Sequence, residues 1–499
     1  MIIAHDLGTT GDKATLVSAD GELVAAVTSS YATDFGPGGK AEQDPEAWWT
    51  ALGTATRELL ERTGTRASDV EAVSFSGQMM GAVLLDGHGD PVRPATIWAD
   101  TRSTAQTAVL LDRVGMEQGY AITGHRLNPT YSTTKVMWVR EHEPEAFARA
   151  VTVINAKDFV GHRLTGELAT DPSDASSTNA YDQRSGEWSA EILEAAGLPA
   201  TLFPQVLPST AVLGRVTRDA ARATGLAEGT PVVVGGGDGP LGALGAGITG
   251  PASGTYCYLG SSSWVSLASD APLYDPGMRT MTFNHVLPDR FVPTATMQAG
   301  GASLEWVVDT LAPREADADG TRYARLLGGA DEVEASGDGL FFLPHLLGER
   351  SPYWNPAARA VFAGLARHHG PAHLTRAVLE GVAFNLWTGL RAFEENGVEV
   401  TSVDAIGGAA NSPVVLQVLA DVWGVPVVRR NLTDEATAVG AAVVAGVGVG
   451  MFDDFDAAKR FSAEVATATP DPERHERLAA SYDLFMEAYE RLEPWFDKL

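Results

Sequence analysis

Apolar and polar positions change period along this chain in short blocks, from two to about 3.6 and back again, almost from end to end. Met1-Ile2-Ile3-Ala4 is a strand-like run leading into Asp6, and Ala14-Thr15-Leu16-Val17 resumes the pattern after a polar loop. Asp20-Gly21 is a hairpin signal, so residues 22–28 read as a third strand. A helix is predicted from residue 45 toward 61, with Asp44 as its N-cap and Pro45 in its first turn. Strands follow at 70–75 and 82–85, and helices at 103–114, 133–141 and 156–164. The stretch TPVVVGGGDGPLGALGAG (230–247) runs from a buried-type strand into three glycines, Asp238 and a small-residue helix, with Pro240 discouraging helix before the following turn. After Gly250-Pro251-Ala252 the pattern restarts. GTYCYLGSSSWVSLAS (254–269) is again strand, Gly/Ser turn, strand, and VDAIGGAANSPVVLQVLADVWGVPVV (403–428) is strand, glycine turn, helix, strand. Two hydroxyl- and glycine-rich hairpins half a chain apart predict a duplicated α/β domain, with the boundary near 246–253. Residues 471–499 read as one or two terminal helices.

Length agrees with duplication, since 499 residues exceed one ordinary domain. Lys+Arg 36 against Asp+Glu 64 gives a net charge of −28, which argues against nucleic acid or an anionic membrane as partner, because both select positive surfaces. An anionic ligand must therefore be held by local backbone donors and a metal. The single cysteine, Cys257, excludes an intrachain disulfide framework and suits a reducing compartment. No basic and apolar leader opens the sequence, so a cytoplasmic protein is expected. The uncharged run 436–452 is built of Ala, Gly and Val, too short and weakly apolar to span a bilayer, and reads as a closely packed buried helix.

Candidate chemistry gathers at strand-to-glycine turns, at 6–13, 259–263 and 406–412, where backbone N–H groups can approach an anion. In the first, Asp6 ends a strand and can hold a metal or its water, while hydroxyls and Lys13 can meet phosphate oxygens. No G-x-x-x-x-G-K-[ST] is present, nor a G-x-G-x-x-G in dinucleotide-binding context. A nucleotide held between two related halves, faced by an acid on a glycine turn, is what remains. Asp238 is the most suggestive acid, and a helix N-cap is its other reading.

Taken together, the chain resembles the FGGY carbohydrate kinases, and within them the xylulose kinases, from Asp6 to about residue 450. The resemblance rests on DLGTTGDK (6–13), AEQDPEAWW (41–49), SGQMMGAVLLD (76–86), RPATIWADTRS (93–103), KDFVGHRLTGELATDPSDAS (157–176), GGGDGPLGALGAG (235–247) and FLPHLLGERSPYWNPAARAVFAGL (342–365), in that order and spacing. It implies two ribonuclease-H-like domains of actin/hexokinase type, hinged around a central cleft: residues 1–247 for the sugar and the first phosphate loop, 248–465 for the nucleotide, and a helical tail, 466–499, returning to pack on the first domain. It implies ATP and Mg²⁺, with ATP mainly against the second domain, and phosphorylation of a ketopentose such as D-xylulose. Other ketoses or polyols are the alternative substrates. A silent sugar sensor or a chaperone-like relative is the rival class. The partner is a small sugar, and a homodimer is compatible with this reading.

By the same resemblance, Asp238 is the catalytic base and Asp6 organises the metal. Thr9, Thr10 and Lys13 border the phosphates from the first domain and Gly260, Ser261 and Ser262 from the second, with Gly407, Gly408 and Asn411 near the adenosine. Gln78, Met79, Met80, Trp98, Asp100, Arg102, Asp238 and Gly239 border the sugar, although Trp98 also reads as plain packing. The pattern departs from the xylulose kinases at two places. They carry His where this chain has Met80, and Asn where it has Gly239, so two polar groups that select a hydroxyl pattern are missing. Glu349 and Arg350 read as a structural ion pair in preference to cleft residues. His368, His369 and His373 read as a polar connection, and Trp48-Trp49 as a core anchor.

Overall fold

A computed structural model describes residues 1–312, 321–432, 435–496 and 498–499. The opening hairpins form as the alternation predicts: strands Ile2–Leu7, Gly11–Val17 and Leu23–Ser30 make an antiparallel meander. Ala72–Gly77 joins the first strand in parallel, Pro231–Val233 joins that strand in parallel, and Val212–Arg215 closes the edge antiparallel. The second half repeats the plan. Thr255–Leu259, Ser263–Leu267 and Phe291–Met297 are its meander, extended at one edge by Met281–Asn284; on the other side Val403–Ile406 and Val427–Arg430 add in parallel and Glu464–Ala468 closes antiparallel. Each sheet carries helices and its own apolar core. This is the expected pair of ribonuclease-H-like units, and the glycine turns sit at the ends of equivalent strands.

Two helices join the units. Asp238–Gly245 packs against Ala436–Gly448, the buried Ala/Gly/Val segment, and both lean on the first sheet through Ile2, Ala4, Ala72 and Val233. Their contact is backbone to backbone: a Cβ on Gly440 would stand 2.2 Å from the Leu241 carbonyl oxygen, and one on Gly245 would stand 1.8 Å from that of Ala436. Pro240 lies in the first turn of its helix, where it forfeits no helical hydrogen bond, so the helix begins at Asp238 rather than beyond the proline. A third connection is the two-residue-wide seam where Thr282 N–H donates to Gly124 O (3.0 Å) and Tyr120 OH donates to Thr280 O (3.0 Å).

The tail departs from expectation. It is one helix, Pro472–Phe496, and it packs on the second unit, not the first. Leu478, Tyr482, Phe485 and Tyr489 form its apolar stripe and enter the second core against Phe384 and Trp387, with the Tyr482 and Thr388 hydroxyls 2.9 Å apart. That stripe needs an apolar partner surface, and the long helix Pro371–Glu395 supplies it.

Candidate active site

Between the units lies a cavity of about 450 Å³ into which both glycine-turn systems open. From the first unit it receives Asp6, Thr9, Lys13, Met79, Met80 and Trp98, and from the joining helix Asp238 and Gly239; Ser262 comes from the second unit. Asp6 ends the first strand, paired in register with Lys13 on one side and Ser76 on the other. Burial raises its carboxyl above the usual range, with the Thr437 hydroxyl, which donates to Oδ2 at 2.7 Å, and the charge of Lys13 working against the rise. Asp238 opens its helix, Gly237 being the N-cap, and its Oδ1 accepts the Gly239 N–H at 2.8 Å. Its carboxyl is pushed up to about 7, first by burial and then by the charge of Asp6, while the Gly239 N–H and the Arg350 charge hold it down. Two carboxylates in one cavity with separated environments are suited to different tasks, a metal-facing anion and a proton acceptor.

The first phosphate-type loop is braced from behind. The Tyr31 hydroxyl donates to Gly8 O (2.5 Å), Gln43 Nε2 to Thr9 O (2.6 Å), and Trp98 Nε1 to Thr9 Oγ1 (2.9 Å). Trp98 thus faces the cavity and fixes the loop together. Gln78 does not reach the cavity: its Nε2 donates to Gln43 Oε1 at 2.8 Å, behind the loop. Thr10 is exposed beside it, its carbonyl accepting the Tyr31 N–H.

Asp100 and Arg102 also lie away from the sugar side. Asp100 accepts the Ala41 N–H (2.9 Å) and pairs with Arg102 (2.7 Å), whose guanidinium bonds Glu42 (2.6 Å) and covers the Trp138 ring. Their charges pair with one another and with Glu42, and pin the Trp98 segment to strand Lys40–Gln43.

In the second unit, Gly260, Ser261, Gly407, Gly408 and Asn411 cluster just beyond the cavity. The helix Gly301–Leu311 donates from Gly301 N and Ala302 N to the Gly260 and Ser261 carbonyls (2.8 and 3.1 Å), and Gly407, at φ 96°, packs on the Leu259 backbone. Beside them is a small apolar depression lined by Leu259, Gly301, Leu304, Ala409 and Val415.

Met80 lines the cavity in the left-handed region, at φ 63°. The conformation is held at both ends: its N–H donates to Ser177 Oγ (3.2 Å) and its carbonyl accepts from Lys135 Nζ (2.7 Å). Behind Asp238, Lys157 is wholly buried among Asp158 (2.5 Å), Asp171 (3.1 Å) and Asp174 (3.5 Å). Asp171 accepts from Ser173 Oγ (2.6 Å), which in turn accepts the Gly237 N–H (2.9 Å).

Thr437, Tyr256 and Phe283 of the cavity were not foreseen from sequence, and Arg350, read as structural in preference to a cleft residue, also lines it. Glu349 and Arg350 do not pair side chain to side chain. Glu349 is buried and structural, its Oε1 accepting the Gln298 and Arg350 N–H groups (both 2.9 Å), whereas the Arg350 guanidinium enters the cavity 5.8 Å above the Trp98 ring. The usable signal was the arginine's place in a Gly/Pro-bounded loop. His373 lies in the first turn of the helix Pro371–Glu395, and no group of three or more His, Cys, Asp or Glu among the described residues is arranged to hold a metal.

The sequence profile of the N-terminal domain of the FGGY family of carbohydrate kinases matches residues 1–245, and that of its C-terminal domain residues 255–449. A xylulose kinase of Escherichia coli (strain K12) is 36% identical, with 90% of each chain covered. One of Bacillus subtilis (strain 168) is 32% identical over 98% of this chain and 96% of its own. The crystal structure of a xylulose kinase from Rhodospirillum rubrum superposes with a TM-score of 0.91 at 33% identity, covering 99% of both chains.

Proposed function

The chain belongs to the FGGY family of carbohydrate kinases and is a sugar kinase, and we propose that it transfers the γ-phosphoryl group of ATP to the C5 hydroxyl of D-xylulose. The observation that carries this reading is the meeting of Asp6 and Asp238, from different elements, in one cavity between the two units. Phosphoryl transfer needs little covalent chemistry from the protein and much positioning and charge neutralisation. Asp238 accepts the proton of the attacking hydroxyl, a role matched by a carboxyl poised near neutrality. Lys13 and the hydroxyls of Thr9 and Ser262 face the phosphates, and the apolar depression beside Gly407, Gly408 and Asn411 takes the adenosine end. The donor set fits a magnesium ion that arrives with the nucleotide: one cavity carboxylate, Asp6, and no complete protein cage among the described residues. Such an ion, held by Asp6 when bound, would supply positive charge that offsets that of the phosphates. Trp98, Met79 and Met80 form the sugar wall.

Asp238→Ala is expected to keep nucleotide binding and to lower kcat by roughly 10²–10⁴, the scale of general-base catalysis. In the parent, the base must be ionised, so kcat/KM for the sugar rises with pH and levels off above the Asp238 pKa of about 7. Sugar-dependent ADP release across pH 5–9, with D-xylulose and a panel of ketoses and polyols, measures both. A flat profile, or a variant within a few-fold of the parent, moves the base elsewhere; ADP release indifferent to any sugar returns the sensor reading.

A further inference from the structure

The Arg350 guanidinium is a cation in the cavity, and among the described residues no carboxylate forms an ion pair with it. Its Nε is buried without a hydrogen-bond partner, and the nearest carboxylate, that of Glu349, is engaged by backbone N–H groups. Burial lowers its proton affinity, and the charges that act on it are the Tyr131 phenol, Glu349 and Asp238. The guanidinium lies in the cavity over Trp98, a ring that also bonds Thr9 Oγ1, and its charge acts on Asp238. It also comes from the second unit, while Trp98, Met79 and Met80 come from the first. It adds a cation to the second unit's side of the cavity, which Tyr256, Met281 and Phe283 also line.

We infer that Arg350 is a specificity-determining residue that binds the C2 ketone oxygen of the acyclic sugar. The inference rests on the ketopentose reading above. A 2-ketopentose can close a five-membered ring only through its C5 hydroxyl, so a kinase acting at C5 must take the open chain, in which C2 is a free carbonyl. A carbonyl oxygen is a pure acceptor with two lone pairs, and guanidinium is a pure donor with a planar fork. The hydroxyl of the corresponding pentitol brings a hydrogen that guanidinium cannot accept, and the neighbouring Met80 and Trp98 side chains accept poorly. Recognition of the carbonyl also selects the one form of the sugar whose C5 hydroxyl is free to react, so substrate choice and catalytic competence are tied to one side chain.

The test is a cycle between residue and substrate. kcat/KM is measured for D-xylulose and for xylitol and D-arabinitol, which differ from it only by two hydrogens across C2, in the parent, in Arg350→Met and in Arg350→Lys. The parent is expected to prefer the ketose by roughly 10- to 100-fold, the scale of one hydrogen bond to a charged group. Arg350→Met is expected to narrow that ratio to within about 3-fold, and Arg350→Lys to fall between, because an ammonium keeps the charge but not the fork. KM for ATP is expected to hold within about 2-fold in both. Equal use of ketose and pentitols by the parent overturns the assignment without any variant, and so does an Arg350→Lys enzyme with the parent's ratio or a loss shared equally by all three substrates. A parent that leaves D-xylulose untouched while phosphorylating another sugar overturns the ketopentose reading itself, a distinct result.

Discussion

Met80 and Gly239 are where the residue scale is most informative. Glycine and, several-fold more than most other residues, Asn, Asp and His populate the left-handed region. Met80 occupies it at φ 63° only because Ser177 and Lys135 hold its two backbone ends, so Met80→His meets no new backbone penalty. Gly239 has room as well: a Cβ there finds nothing nearer than the Met79 sulfur at 3.8 Å, whereas one on Gly237 would collide with the same side chain at 2.6 Å. Both substitutions can therefore be made without remodelling the cavity. Each restores a directional group where a thioether or nothing stood. We expect Met80→His with Gly239→Asn to raise relative kcat/KM for D-xylulose, against the best alternative in a ketose and polyol panel, by roughly 2- to 13-fold per position, one net hydrogen bond each. An unchanged ratio in the active double variant means neither position reads the sugar. At this scale the sequence told of Asp6 and Asp238, because each sits in a glycine-rich turn whose purpose is local. Thr437 escaped and Arg350 passed for structural, since their neighbours in space lie hundreds of residues away, and Asp100 and Arg102 misled because charges near a site can be spent on each other.

Elements were legible wherever their period was clean: the meanders, the helix Pro45–Thr63 with its Asp44 cap, and the strand–turn–helix of Val403–Trp423. The helix pair joining the units was legible as buried, but its partner was not, because Ala, Gly and Val announce close packing without saying against what. The structure supplies the reason for the glycines. Gly440→Ala sets a methyl 2.2 Å from the Leu241 carbonyl oxygen, and overpacking of this kind costs about 1–3 kcal/mol. Gly328, in the helix Arg322–Asp331, has nothing within 4 Å of its would-be Cβ, so Gly328→Ala should stabilise by about 0.4–1 kcal/mol through helix propensity and a less free unfolded chain. Denaturant midpoints of the two variants should move in opposite directions; a Gly440→Ala protein as stable as the parent would show that the pair has slack. The terminal helix shows the converse limit. Its helical character was visible in sequence, but two units each offer an apolar face, and only packing detail chose the second.

At the scale of the molecule, duplication was readable from two matching hairpins, while the join between the halves was not. A net charge of −28 gives no hint that the cleft itself carries Lys13 and Arg350. A further tie between the halves is a short helix, Pro172–Ser176, backed by the buried Lys157 cluster. Its serines and the one that follows accept backbone N–H groups from three distant segments: Ser173 from Gly237, Ser177 from Met80, and Ser176 from Asn284 of the second unit (3.0 Å). Base, sugar wall and opposite unit are thus fastened to one peg. Followed in deuterated buffer, the amide hydrogens of residues 80, 237 and 284 should be lost at a single common rate, because all three are freed only when the peg itself opens. Lys157→Met, which strips the peg of its counter-charge, should quicken all three together. Three unrelated rates in the parent would mean that each serine acts alone, and the cleft would then loosen piecemeal instead of in one concerted breath.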